Sequence, residues 1–218
     1  MGFDLTPERI HTGLLYLLAV VVSITVHEFS HALAADRLGD DTPRRQGRIT
    51  LLPTEHFDPF GFLMVAILAF GGRGLGWGRP VMVNPANLRH PRRDMLLIAA
   101  AGPFSNLIIA VVSGLIIRFS GVDTSVNLTG EILKTFLFSN LSLFFFNLIP
   151  IPPLDGSKVL SNLLPLEQAI NYDRVMGQFG FMILFALVFL GGPVVSEIIG
   201  RPSAMVATLI TGVPWTVG

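Results

Sequence analysis

Long apolar runs constrain this chain more than any other feature. A helix needs about 20 apolar residues to cross the hydrocarbon core of a bilayer. Five segments approach that length: residues 12–38, 95–119, 132–151 and 175–190, and a weaker one, 194–213, after Gly191, Gly192 and Pro193. Residues 60–70 are as apolar but too short to cross, which predicts a re-entrant or partly embedded segment. Of the 218 residues 51% are apolar and only 14% charged, whereas an ordinary soluble domain carries about 25% charge. No repeat and no polar linker divides the chain, so residues 1–218 read as one domain.

Charge sets the expected orientation. The balance of 15 basic against 15 acidic residues gives no sign of nucleic-acid binding. Nine basic residues fall from Arg37 to Arg93, eight of them in clusters at Arg44, Arg45 and Arg48 and at Arg73, Arg79, Arg89, Arg92 and Arg93, whereas residues 120–130 hold none. The excess of basic residues in cytoplasmic loops predicts that both clusters are inside and residues 120–130 outside, provided residues 60–70 do not cross. His11, His90 and Trp77 read as interfacial residues. The absence of cysteine excludes disulfides, thiolate zinc sites and cysteine nucleophiles. Any metal would sit on His, Asp, Glu or Asn.

The first apolar segment contains His27-Glu28-Phe29-Ser30-His31. Residues four apart share one helix face, so both imidazoles can reach one metal ion, and Glu28 can reach a water on it. Ionisable residues inside a span are costly and rarely lack a function, although a His pair bonded to neighbouring helices is the plainer alternative. A catalytic zinc takes three protein ligands and keeps one open position. Asp155 is the candidate third ligand, in Asn147-Leu-Ile-Pro150-Ile-Pro152-Pro153-Leu154-Asp155-Gly156, where prolines break the helix and free backbone groups. A simple capping Asp is the alternative. With residues 60–70 not crossing, His27, His31 and Asp155 all fall on the cytoplasmic side.

These paired motifs resemble the site-2 protease family of intramembrane zinc metalloproteases. Gly47-Arg48-Ile49-Thr50-Leu51, His56-Phe57-Asp58-Pro59-Phe60-Gly61, Gly76-Trp77-Gly78-Arg79-Pro80-Val81, Val83-Asn84-Pro85 and Ala101-Gly102-Pro103 with Asn106 resemble its compact prokaryotic branch, without PDZ or CBS domains. Leu52 departs from the pattern, which usually has Asn before this proline. The resemblance implies a catalytic core over about 12–165, followed by C-terminal helices over about 173–215. It implies one zinc ion per chain on His27, His31 and Asp155, Glu28 as general base, and Asn147 as a donor to substrate backbone or oxyanion. Asn106, His56, Ile49 and Thr50 are weaker candidates on the substrate side, with His56 and Asp58 read first as a turn.

The expected architecture is an all-α polytopic membrane protein. It has about five transmembrane helices, the short embedded segment, and a small β-hairpin-like element near the cytoplasmic face from residues 47–52 and 80–84. The expected partners are the lipid bilayer and a single-pass transmembrane protein, cut within or beside its span in a prokaryotic cell membrane. Two other readings use the same residues. One is a metal-ion transporter or channel, which would have no need of Glu28 beside the first ligand. The other is an inactive membrane scaffold, against which the complete motif set argues.

Overall fold

A computed structural model describes residues 6–71 and 76–216. Its framework is three helices packed on one another: α1 (Pro7–Leu38), α4 (Pro91–Ser120) and α5 (Leu128–Asn147). Between α1 and α4 come the single turn α2 (Thr42–Arg45) and the short α3 (Pro59–Gly71). After α5 follow α6 (Asp155–Leu163), α7 (Leu166–Leu190), α8 (Gly192–Val195), a π turn over Ser196–Gly200 and α9 (Arg201–Thr211). Pro7 and Pro91 open their helices where a missing N–H costs nothing. Gly39 ends α1 at φ +112°, a conformation that side chains with a Cβ avoid.

The bundle buries polar groups and exposes apolar ones. Ser23, Asn106, Ser113, Ser139 and Asn140 are buried. Phe104, Ile108, Val112, Leu115 and Phe119 lie exposed along one face of α4, at helical spacing. α7 likewise exposes Phe181, Met182, Phe185 and Leu190. Lipid is the solvent that favours such an outer surface.

Two expectations are corrected. Among the described residues four helices, not five, are long and apolar enough to cross a membrane: Pro7–Leu38, Pro91–Ser120, Leu166–Leu190 and Gly192–Thr211. The segment expected at 132–151 instead forms α5 over Leu128–Asn147, whose Glu131, Lys134 and Asn140 dilute its apolar character. The second correction concerns the β-hairpin-like element: among the described residues there is no strand. Ile49, Thr50, Val81 and Val83 suggested strands, but Pro53, Pro80 and Pro85 bracket short irregular segments. These are joined by an Arg79 N–H donating to the His56 carbonyl at 2.6 Å, and by the Arg48 side chain donating to the Arg79 carbonyl.

The chain between α1 and α4 positions the roof of the site. α3 has 13 residues, about 20 Å of helix. It lies along α1, from the level of Ile24 and Val20, where Val65 packs, to Gly13, against which Phe70 presses. The chain then returns beside it in an extended strap, with Gly76 against Val65, Trp77 against Gly61, and Gly78 against Ile24 and Glu28. Asp58 fixes the base of this excursion. It accepts from the backbone N–H groups of Phe60 and Gly61 and from the Trp77 indole at 3.0 Å. These hydrogen bonds, led by that from Gly61, hold its carboxyl below the usual range.

Candidate active site

α1 carries His27 and His31 on one face, and α6 begins with Asp155, which the Pro150–Pro153 turn brings back to that face. Three potential ligand atoms converge. His27 Nε2 lies 3.0 Å from Asp155 Oδ2, His31 Nε2 lies 3.2 Å from the same oxygen, and the two Nε2 atoms are 3.0 Å apart. All three residues are buried.

The other ring nitrogens are already engaged. His31 Nδ1–H donates to the Ile98 carbonyl at 2.7 Å, and His27 Nδ1–H donates to Asn106 Oδ1 at 2.7 Å. A carbonyl accepts only, so each imidazole carries its proton on Nδ1 and aims an Nε2 lone pair inward. Two lone pairs and a carboxylate then face one point, an arrangement that repels itself without a cation. Imidazole nitrogens and a carboxylate oxygen are the donor set of a catalytic zinc. These residues therefore fit the metal.

Asn106 is itself oriented. Its amide nitrogen donates to Asn140 Oδ1 at 2.9 Å and to the Ser23 carbonyl at 3.3 Å, so its oxygen must face His27. Asn140 donates in turn to Ser23 Oγ at 2.8 Å and to the Phe136 carbonyl at 2.9 Å. Asn106, Asn140 and Ser23 are fully buried. The Asn106 side chain is thus engaged by His27, Asn140 and Ser23. Asn140 and Ser23 gave no motif signal; their only trace in the sequence is polarity inside apolar helices.

Gly102 explains how α4 comes so close. A Cβ there would sit 2.3 Å from His31 Nε2 and 2.7 Å from His27 Cε1. The imidazole pair occupies the volume that any other residue would fill.

A cavity of 410 Å³ opens beside His27, His31 and Asp155. Glu28 and Asn147 line it, with Trp77, Gly78, Val81 and Met82 of the strap on one side and Met95, Leu143, Phe146 and Leu184 on others. Asn147 holds its side chain by donating to the Leu143 carbonyl at 3.0 Å. Ile49, Thr50 and His56 do not line this cavity. His56 is fully buried and pins its own loop, its Nε2–H donating to the Thr50 carbonyl at 2.7 Å. Burial lowers its pKa, as expected of an imidazole kept from water.

At the foot of the strap, Asp40 is fully buried. It accepts from Thr42 N–H and hydroxyl, Asn84 N–H and the Asn87 amide, at 2.6 to 3.1 Å. Burial pushes its pKa up, but these four donors outweigh that and hold it below the usual range.

Comparison with known proteins gives a consistent neighbourhood. The family model described as peptidase family M50 matches residues 112–191. "Putative zinc metalloprotease YwhC" of Bacillus subtilis is 34% identical over 184 residues, which cover 78% of each chain. "Putative zinc metalloprotease Rip2" of Mycobacterium tuberculosis is 35% identical over 178 residues, covering 79% of this chain and 66% of that one. "Zinc metalloprotease MJ0392" of Methanocaldococcus jannaschii is 27% identical over 195 residues, covering 86% of this chain and 47% of its own. No solved structure matches the chain.

Proposed function

Because this chain belongs to peptidase family M50 and is a zinc metalloendopeptidase of the membrane, we propose that it cuts a single-pass transmembrane protein within or beside its span, using His27, His31 and Asp155 as the ligands of one zinc ion. The observation that carries this reading is the convergence of those three ligand atoms within 3.2 Å of one another, beside a cavity lined by Glu28. Zinc in such a site polarises a peptide carbonyl and makes water a nucleophile near neutral pH.

The chain's own residues do the rest. Glu28 is a general base: one carboxylate oxygen takes a proton from the attacking water and later gives it to the leaving amide nitrogen. Asn147 lines the same cavity, and its amide donates to the substrate backbone or to the developing oxyanion. Met82, Met95, Phe146 and Leu184 make an apolar lining suited to the side chains of a transmembrane segment. Asn106 and the Ile98 carbonyl keep both imidazoles in the tautomer that a metal needs.

The site opens toward the cytoplasm in this reading. Arg37, Arg44, Arg45, Arg89, Arg92 and Arg93 all lie where α1 ends and α4 begins, the end nearer His31 and Asp155. Arg73 belongs to the same sequence cluster but lies outside the described residues. Cytoplasmic loops of membrane proteins collect such charges.

Glu28→Gln tests the chemistry. The amide cannot take a proton, so cleavage of a transmembrane substrate falls at least about 10²-fold while zinc stays bound. Cleavage at the wild-type rate by this variant would refute the assignment.

A further inference from the structure

Arg48 differs from every other arginine near the site. Arg44 and Arg45 extend from the surface into exposed ion pairs with Asp36 and Asp41. Arg48 is only 3% exposed. The chain turns at Gly47, φ +69°, and the Arg48 N–H is tied to the Pro43 carbonyl at 2.9 Å, which sends its side chain inward. There the guanidinium donates from Nη2 to the Arg79 carbonyl of the strap, and Nη2 lies 3.9 Å from Glu28 Oε2. Its Nε is buried and has no hydrogen-bond partner among the described residues. Among the described residues, Glu28 is the only carboxylate within 4 Å of it.

A buried cation is costly unless an anion faces it, and a long basic side chain otherwise extends its head to water. Burial lowers the guanidinium's pKa, and the Glu28 charge opposes that. The two oxygens of Glu28 have different surroundings. Oε2 faces Arg48, whereas Oε1 lies toward the strap, where a Cβ on Gly78 would come within 3.0 Å of it. Gly78 lines the cavity.

We propose that Arg48 is the positioning residue of Glu28: it holds Oε2 from behind and leaves Oε1 facing the cavity to do the proton transfer. The inference rests on the reading of Glu28 as the general base. It makes the Gly47–Leu52 segment a support behind the base, acting through one buried charge. The same guanidinium bonds the strap, so the base and the roof of the cavity share one anchor.

A simple staple between loop and strap would need only an N–H donor to the Arg79 carbonyl, which glutamine supplies. Positioning Glu28 needs the positive charge, which lysine supplies. Full-length protein in detergent, loaded with zinc, separates the two. Arg48→Gln should lower kcat by about tenfold or more, with KM and zinc content unchanged, and Arg48→Lys should recover most of the loss. Arg48→Gln cleaving at the wild-type kcat, or Arg48→Lys no better than Arg48→Gln, would overturn the proposal.

A melting-temperature cycle reads the pair without any substrate. Glu28→Gln should shift the melting temperature by nearly the same amount in the wild-type and Arg48→Lys backgrounds, which keep the positive charge, and by a different amount in Arg48→Gln, which does not. A shift in Arg48→Gln equal to that in wild type, or one in Arg48→Lys that departs from it, would overturn the pairing. If the wild-type protein cuts no transmembrane substrate, the protease reading fails while this cycle still decides whether Arg48 holds Glu28.

Discussion

Gly102 is the residue on which the site's geometry turns most sharply. Its missing Cβ leaves room for both imidazoles, and the atoms that a methyl group would strike are the ligand edges themselves. Alanine suits a helix better than glycine does, so Gly102→Ala should leave α4 intact and fail locally. We predict that the variant folds but loses zinc affinity by at least about tenfold, as read by competition with a chelator; wild-type affinity would show that the imidazoles yield without cost. At this scale the sequence was most informative for residues whose spacing is local. His27, Glu28 and His31 lie within one helical turn or so, and the period of 3.6 places the two histidines on one face. Asp155 is 124 residues from His31, and was identifiable only by asking what acid at an apolar boundary could complete a ligand set. Asn106 was visible as a polar residue but its role was not, because its role depends on which side of its amide faces which neighbour.

Among the elements, α5 shows how a polar network limits reading from hydropathy. Asn140 lowers the apolar character of this helix, yet it is the group that turns Asn106 toward His27. Replacing it with leucine removes the acceptor that fixes that amide. Asn140→Leu should weaken zinc binding about 10–100-fold without removing any ligand, measured by the same chelator competition; unchanged affinity would mean that the Ser23 carbonyl alone fixes Asn106. The strand expectation failed for a related reason. Residues 47–52 and 80–84 have β-favouring side chains, but a ladder needs consecutive backbone pairs. Here the backbone groups of Arg79, Thr50 and Asn84 bond instead to the side chains of Arg48, His56 and Asp40. Pattern reading weighs what a side chain prefers and has no access to the distant partner it finds.

For the molecule as a whole, orientation and pH response follow from where charge is placed. The chain has no cysteine, so single introduced cysteines report sidedness cleanly. A membrane-impermeant maleimide applied to intact cells with an opened outer envelope should label Thr124→Cys and spare Gln46→Cys; the reverse pattern would invert the orientation. Asp40 accepts four hydrogen bonds, and the two from Asn84 and Asn87 tie the end of α1 to the foot of the strap. Its folded pKa is depressed, so its contribution is complete above the unfolded value of about 3.9 and is lost as pH falls through the folded value. In Asp40→Asn that contribution is gone, so the melting temperature should fall less steeply below about pH 4 than in wild type; parallel acid profiles would remove Asp40 from the account.

The central claim is a zinc centre on three residues with a separate base, and zinc content measures it most directly. Wild type, Glu28→Gln, His27→Ala and Asp155→Ala would be purified gently in detergent and their metal quantified per chain. The account predicts about one zinc in wild type and in Glu28→Gln, and its loss from the other two, because a catalytic zinc needs three protein ligands. Wild type without zinc, or Asp155→Ala holding as much as wild type, would contradict it.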